Sequence, residues 1–244
     1  MAVKIKKLDE YVALTVEAVK VISYADYYTQ KPLFTSLRVK NSLAEVLGGL
    51  TLSIYNENGL VVNTQKEIGE IPFESAVEIE IGNILSPLYF VGLESVKEEI
   101  VFVELRKDKQ LISSQQFSVM ALPFDYWEGA LGNAEQLAAF VRPKLADCAR
   151  LKTEVAAQLK RWEVASDLNG YENADKNTVL RMAAAVFSCI RRYSIQKTEL
   201  DFAQACEVGA GVKILAERKA SAVETALFFA SCLESMGLHP VLLY

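Results

Sequence analysis

The side chains best suited to covalent chemistry are a few thiols and one imidazole. The four cysteines are Cys148, Cys189, Cys206 and Cys232, and the histidine is His239. A cysteine hydrolase needs a thiolate beside a histidine base, and Cys232 and His239 are near each other in sequence. Cys232 falls among apolar residues at helical spacing, however, where cysteine behaves as a small hydrophobe. We therefore predict a structural thiol and a turn histidine before Pro240.

Other kinds of chemical site have less support in the sequence. One histidine and scattered cysteines give no ligand spacing for a metal, so we predict no metal and no cofactor. Gly209-Ala210-Gly211 is a GxG fragment without a plain strand before it or a plain helix after it, which favours a turn over a phosphate loop. No GxxxxGK[ST] loop occurs. Glu98 and Glu99 are interpreted as solvated residues at a strand flank.

The strongest local signal is Ser221-Ala222-Val223-Glu224, which matches a capping box at the start of an apolar helix. Ser221 would accept the backbone N–H of Glu224. The carboxylate of Glu224 would reach back to Ser221 and stabilise the positive end of the helix. Gly237 supplies a left-handed stop. Because the helix is apolar nearly all round, we predict that it is central and buried, with residues 238–244 starting a strand.

Residues 217–227, 230–234 and 237–240 together resemble the core helix and next strand of a transglutaminase-like (papain-like) fold. More narrowly, the sequence resembles an N-terminal domain of unknown function of very large bacterial helicase-nuclease proteins, some of them associated with antiphage defence. Residues 127–129, 137–143, 168–171 and 211–215 fit the same family. The resemblance covers most of the chain and implies a sandwich followed by a transglutaminase-like domain.

In transglutaminase-like enzymes a cysteine starts the core helix, where the helix N-terminus favours the thiolate. The resemblance places that position on Ala222, and a methyl group cannot attack a carbonyl. The family's histidine base lies one strand beyond residue Tyr244, so we expect a domain truncated before the histidine strand; His239 comes too early to match. The resemblance therefore implies no catalytic residue, but a degenerate nucleophile position at Ala222, flanked by Ser221 and Glu224.

Two functions follow from these residues. The first, which we favour, is a non-catalytic assembly or recognition module in the N-terminal part of a larger bacterial helicase-type protein, with antiphage defence as the setting that the resemblance implies. Its partners would be other domains or proteins of a larger assembly, and nucleic acid would be engaged only indirectly. The alternative is a cysteine-protease or transglutaminase-like enzyme whose nucleophile position is substituted at Ala222.

The elements that would position these residues divide the chain in two. Residues 1–122 are predicted to form an immunoglobulin-like antiparallel β-sandwich, because apolar residues alternate in segments separated by turn signals. Val101, Val103 and Leu105 are one such segment. A change of parity after Ala18 indicates a β-bulge, and the residues 107–109 indicate a polar turn.

Residues 123–244 are predicted to be mainly helical, and the resemblance implies that they form an incomplete transglutaminase-like domain, which makes the chain α+β. Asn133 and Gln136 predict the start of a short helix. Pro143 is predicted to open the next helix, which ends near Trp162. A further helix is predicted from about Asp175 to residue 193, with apolar residues on one face.

The composition of the chain limits the cellular locations and the classes of partner that we expect for the protein. The net charge is −5 and neither half is basic, so the sequence lacks a dedicated footprint for nucleic acid. The cysteines form no CxxC pair and no signal peptide precedes them, which predicts reduced thiols in a cytoplasmic protein. No run approaches the roughly 18 apolar residues that a membrane span needs, so we expect no membrane partner.

Overall fold

The structure is a computed structural model that describes residues 8–129, 134–164, 168–172, 175–200, 205–209 and 211–243. Helices and strands both contribute substantially, and the predicted mixed α+β class is confirmed. The chain divides into two compact units, Met1–Phe124 and Asp125–Tyr244. Each unit has its own cluster of buried apolar side chains.

The first unit is built mainly from strands. A 3-10 helix at Leu8–Glu10 precedes them. The strands and two short helices are, in chain order, β1 (Val12–Ala18), β2 (Val21–Ile22), α1 (Tyr24–Tyr28), β3 (Phe34–Asn41), β4 (Leu50–Tyr55), β5 (Thr64–Ile68), β6 (Ser75–Glu78), α2 (Pro87–Val91), β7 (Lys97–Lys107) and β8 (Gln110–Ala121).

These strands form two sheets, ordered β1-β3-β6 and β2-β8-β7-β4-β5. All neighbours pair antiparallel except β2 and β8, which are parallel. The period-two pattern sends one face of each strand inward, so Val101, Val103 and Leu105 of β7 are fully buried. The same apolar cluster includes Leu37 and Val39 of β3, so the two sheets share one core.

The parity change after Ala18 marks a change of sheet, and not only a bulge within one strand. The register between β1 and β3 does shift between Glu17 and Ala18. The chain then leaves that sheet, and Val21 and Ile22 pair in the other one. The alternation of apolar residues shows only which face of a strand each residue is on. A bulge and a change of sheet both switch that face, so the sequence cannot distinguish them.

The interpretation of Glu99 as a solvated residue is wrong, although Glu98 is exposed. The Glu99 side chain is 1% exposed and accepts hydrogen bonds from Asn56 Nδ2 (3.0 Å), Asn58 Nδ2 (2.8 Å) and Tyr89 Oη (2.7 Å). The ammonium of Lys97 lies 2.7 Å from its Oε1. Burial of a carboxylate is tolerated here because four donors replace its hydration.

The second unit is mainly helical. Its elements are β9 (Tyr126–Trp127), a 3-10 helix at Ala134–Phe140, α3 (Ala146–Arg161), α4 (Lys176–Arg191), β10 (Gln196–Lys197), β11 (Cys206–Glu207), α5 (Gly211–Glu217), β12 (Lys219–Ala220) and α6 (Ala222–Ser235). Strands β9 and β11 pair antiparallel, and β10 and β12 pair parallel. Residues from α3, α4, α5 and α6 form the apolar core.

Several helix boundaries differ from the predictions. Pro143 does not open α3, because the Leu145 N–H bonds the Arg142 carbonyl in a separate turn and the helix begins at Ala146. The short helix predicted near Gln136 is a 3-10 helix, and its proposed cap Asn133 lies outside the described residues. The helix predicted from about Asp175 is α4, and Asp175 is its N-cap, since its Oδ1 accepts the Thr178 N–H at 2.7 Å.

The segment after α6 is also different from its prediction. Gly237 has a φ of 74°, so the left-handed stop is confirmed. Residues 238–243, however, form no strand. Val241 is 80% and Leu243 is 94% exposed, and no described strand pairs with this segment. An apolar composition makes a segment compatible with a strand, but a strand forms only where a second strand hydrogen-bonds with it.

Candidate functional site

The start of α6 has the local geometry that its sequence predicts. The Glu224 backbone N–H donates to Ser221 Oγ at 3.1 Å, and the Ser221 N–H donates to Glu224 Oε2 at 2.7 Å. This reciprocal capping box satisfies two of the N–H groups that a helix start leaves without partners. Thr225 adds a bond from its hydroxyl to the Ser221 carbonyl at 2.9 Å. The first turn of α6 is thus fixed in position.

The second oxygen of Glu224 is also engaged. Its Oε1 accepts the Gly209 N–H at 2.6 Å. A Cβ atom at Gly209 would lie 2.6 Å from that oxygen, so a side chain there would have to displace the Glu224 carboxylate. Because Glu224 is buried and both of its oxygens accept backbone hydrogen bonds, its role is structural and it is unsuited to act as a general base.

The GxG fragment occupies a different context from the predicted turn. Strand β11 precedes it, and α5 opens at Gly211, so the expectation that no helix begins there is wrong. The Gly209 N–H is already donated to Glu224. A phosphate loop needs backbone N–H groups that are free to point at a ligand, and this one is not free.

The N-terminal half of α6 forms one wall of a cavity of about 610 Å³. Further lining comes from the C-terminal half of α4, from the segment that leads through β10, and from β12. Of the residues that the structure describes, twelve line the cavity: Phe187, Ile190, Arg191, Ser194, Ile195, Lys197, Ala220, Ser221, Ala222, Thr225, Ala226 and Phe229.

Ala222 is the first residue of α6, is exposed, and lines this cavity. Ala226 follows one turn later on the same wall and is also exposed. The prediction that α6 is central and buried therefore holds for only part of its surface. Its other side carries Leu227, Phe228 and Cys232, which are buried.

The lining has few groups that could drive a reaction. Among its described residues there is no histidine, cysteine, aspartate or glutamate. Its polar members are two cations, Arg191 and Lys197, and three hydroxyl residues. No hydrogen bond within the described part of the chain joins a lining hydroxyl to either cation. The arrangement is suited to holding an apolar and negatively charged ligand, because its walls are apolar and its charges have one sign.

The structure does not bring Cys232 and His239 together as a reactive pair. Cys232 is fully buried, and its Sγ lies 3.8 Å from Cys148 Sγ. The contact with the Cys148 thiol and the burial both raise the pKa of Cys232, which disfavours the thiolate. His239 is exposed, and its ring centroid lies 5.9 Å from that of Tyr171.

The other thiols also lack the setting of a catalytic nucleophile. The contact with Cys232 lowers the pKa of Cys148, but this thiol is fully buried. Burial raises the pKa of Cys189, and its Sγ accepts a bond from Arg192. Cys206 is half-buried in β11, opposite Trp127. Within the described ranges, no group of three or more histidine, cysteine, aspartate or glutamate residues could hold a metal ion.

Sequence reasoning missed the cavity and the two cations in its wall. One signal was available. Phe187 of α4 lies off the apolar face that builds the core, lines the cavity and is 56% exposed. Large apolar residues on the outer side of an amphipathic helix indicate a second contact surface.

No protein-family model matches this chain, and no curated protein matches its sequence significantly. No helix among the described residues has the length and hydropathy that a bilayer span requires.

Proposed function

We propose that this chain is a non-catalytic recognition module. In this proposal the first unit is an immunoglobulin-like sandwich, and the second is a degenerate transglutaminase-like domain of a larger bacterial helicase-type protein, with antiphage defence as its setting. Its partners would be other domains or proteins of that assembly. One observation carries the proposal: the methyl group of Ala222 stands on the cavity wall at the first position of a capped helix, where a cysteine hydrolase would present its thiol.

The surroundings of Ala222 support binding over catalysis. Glu224 is the nearest acidic residue along α6, and both of its oxygens are held by backbone N–H groups. The only described neighbours with ionisable side chains on the cavity wall are Arg191 and Lys197. A nucleophile at this place would need a positioned base, and the wall offers a cationic, apolar surface instead.

The alternative is a cysteine-protease or transglutaminase-like enzyme with a substitution at Ala222. One observation supports it: Ala222 is exposed at a helix N-terminus, where the pKa of a thiol falls. The two functions can be separated with the variant Ala222→Cys. The matched control is Ala226→Cys, which places a thiol one turn later on the same wall.

We expect both introduced thiols to react with iodoacetamide at neutral pH within about tenfold of each other, since a helix N-terminus alone gives a modest advantage. Neither variant should hydrolyse p-nitrophenyl acetate faster than the other. Rapid alkylation of Ala222→Cys at acidic pH, together with ester turnover that Ala226→Cys lacks, would overturn the proposal and support the enzyme.

A further inference from the structure

The cavity beside α6 is a positively charged site on an acidic chain. Arg191 and Lys197 line it, and Arg218 and Lys219 directly precede the lining residue Ala220. No carboxylate in the described ranges lies within 4 Å of the side-chain nitrogens of these four residues, whereas the chain as a whole carries a net charge of −5. Cations that no described carboxylate pairs can attract a negatively charged partner.

The walls of the same cavity are apolar. Phe187 is 56% exposed, and its ring meets that of Phe229 edge to face, with centroids 6.5 Å apart and planes at 87°. Ile195 and the methyl groups of Ala222 and Ala226 extend this surface. An exposed aromatic pair beside small residues leaves room for an aliphatic or aromatic side chain to enter and to be removed from water.

The size and the edges of the cavity fit a chain rather than a small ion. A volume of about 610 Å³ falls within the usual range for ligand sites of roughly 300–1,000 Å³. The two-residue strands β10 and β12 border it, joined by bonds from Gln196 N–H to the Arg218 carbonyl (2.8 Å) and from Thr198 N–H to the Ala220 carbonyl (2.9 Å). A short ribbon of this kind can accept an extended backbone alongside it.

We propose that this cavity binds an extended acidic peptide segment of a partner protein. An apolar side chain of the peptide enters between Ala226 and the pair Phe187 and Phe229, and flanking carboxylates pair with Arg191 and Lys197. Single-stranded nucleic acid fits less well, because it stacks bases on open aromatic faces and these two rings are turned against each other. The inference rests on the proposed function and specifies what the recognition module recognises.

The test uses the whole chain and a fluorescein-labelled peptide that alternates glutamate with leucine and phenylalanine, followed by fluorescence anisotropy. We expect saturable binding that weakens as salt is added. The double reversal Arg191→Glu with Lys197→Glu should weaken binding at least tenfold, and a peptide with lysine in place of glutamate should bind that variant better than the wild type. Ala226→Trp, which fills the cavity, should also weaken binding.

The matched control is Lys160→Glu, a charge reversal at an exposed residue of α3 that does not line the cavity; it should leave the affinity within about twofold of the wild type. The proposal is wrong if the acidic peptide does not bind saturably, if Lys160→Glu and the double reversal act alike, or if oligothymidylate displaces the peptide and binds more tightly. None of these outcomes would bear on the alkylation and ester assays at Ala222, so the two proposals fail separately.

Discussion

Gly170 and Gly237 pass each other so closely that a Cβ atom on Gly170 would lie 2.1 Å from the Gly237 carbonyl oxygen. Their φ angles are 65° and 74°, a region that favours glycine. Gly237 follows α6, and Gly170 belongs to the turn at 168–172. The contact therefore fixes this turn against the C-terminal end of the helix whose first residue lines the cavity.

We expect Gly170→Ala to lower the free energy of unfolding of the second unit by more than about 2 kcal/mol, because the strain of a positive φ and a backbone collision add. Urea titration by tryptophan fluorescence measures this directly, since Trp127 and Trp162, the two tryptophans of the chain, both lie in this unit. The control is Gly59→Ala, where φ is 81° but nothing lies within 4 Å of the added Cβ. That change should cost only about 1 kcal/mol, measured by circular dichroism; equal costs would contradict the close approach.

Glu99 should make the first unit sensitive to acid. Burial raises the pKa of this carboxyl, but hydrogen bonds from Lys97, Asn58, Asn56 and Tyr89 outweigh it and lower the pKa to about 2, from an ordinary value of 4.5. A lowered folded-state pKa contributes stability that is complete above the ordinary value and is lost as the pH falls towards the folded-state value. We expect a loss of about 2 kcal/mol or more between pH 5 and pH 2.

The measurement is urea unfolding of the first unit by circular dichroism across that pH range, in the wild type, Glu99→Gln and Glu98→Gln. Glu99→Gln should be less stable at pH 7 and should lose most of the dependence on pH. The exposed neighbour Glu98 serves as the matched control, and its replacement should leave the pH profile unchanged. A profile that Glu99→Gln does not flatten would show that other carboxyls govern the acid sensitivity.

Removal of the Glu224 carboxylate should destabilise the cavity wall. Glu224→Ala leaves the backbone N–H groups of Ser221 and Gly209 without their acceptor, at a cost of about 2 kcal/mol in the free energy of unfolding. Glu234→Ala, an exposed position on the same helix, should change it by less than about 0.5 kcal/mol. Tryptophan fluorescence in urea reports both. A small effect at Glu224 would show that water replaces the carboxylate without loss.

The buried cysteines should be protected from alkylation. Burial raises the pKa of Cys189, and the contact with Cys148 together with burial raises that of Cys232, which disfavours both thiolates at neutral pH. The same contact lowers the pKa of Cys148, so this thiol is protected by its complete burial alone. With iodoacetamide and mass spectrometry of the peptides, the half-buried Cys206 should be modified first. Cys148, Cys189 and Cys232 should follow only as the unit unfolds in urea. Fast labelling of Cys232 in the native chain would disprove this account.

Local signals in the sequence were sufficient for features that depend on neighbouring residues. The capping box of Ser221 and Glu224 needs only a spacing of three residues, and the burial of Val101, Val103 and Leu105 follows from alternation. Both features depend only on the local repeat of the backbone. They can therefore be predicted from the sequence without knowing which distant residues are in contact.

The features that the sequence did not predict depend on distant partners. Glu99 is buried because Asn56 and Asn58 approach it from another strand end. The cavity forms where α4, α6 and the ribbon of β10 with β12 meet, and two-residue strands have no period to recognise. The segment 238–243 has a strand-like composition but no strand partner in the described structure. Tertiary context decided each of these cases.

The parallel pairing of Val21 with Met120 and Ile22 with Ala121 sets an order of events during synthesis. The five-stranded sheet cannot gain its β2 edge until the ribosome has released the C-terminal end of β8, which is the last strand of the first unit. Pairing between distant segments is slow because a long loop must close first. The apolar faces of the early strands therefore stay exposed while translation proceeds. Chaperone binding to the nascent chain should decrease once Ala121 has left the ribosome.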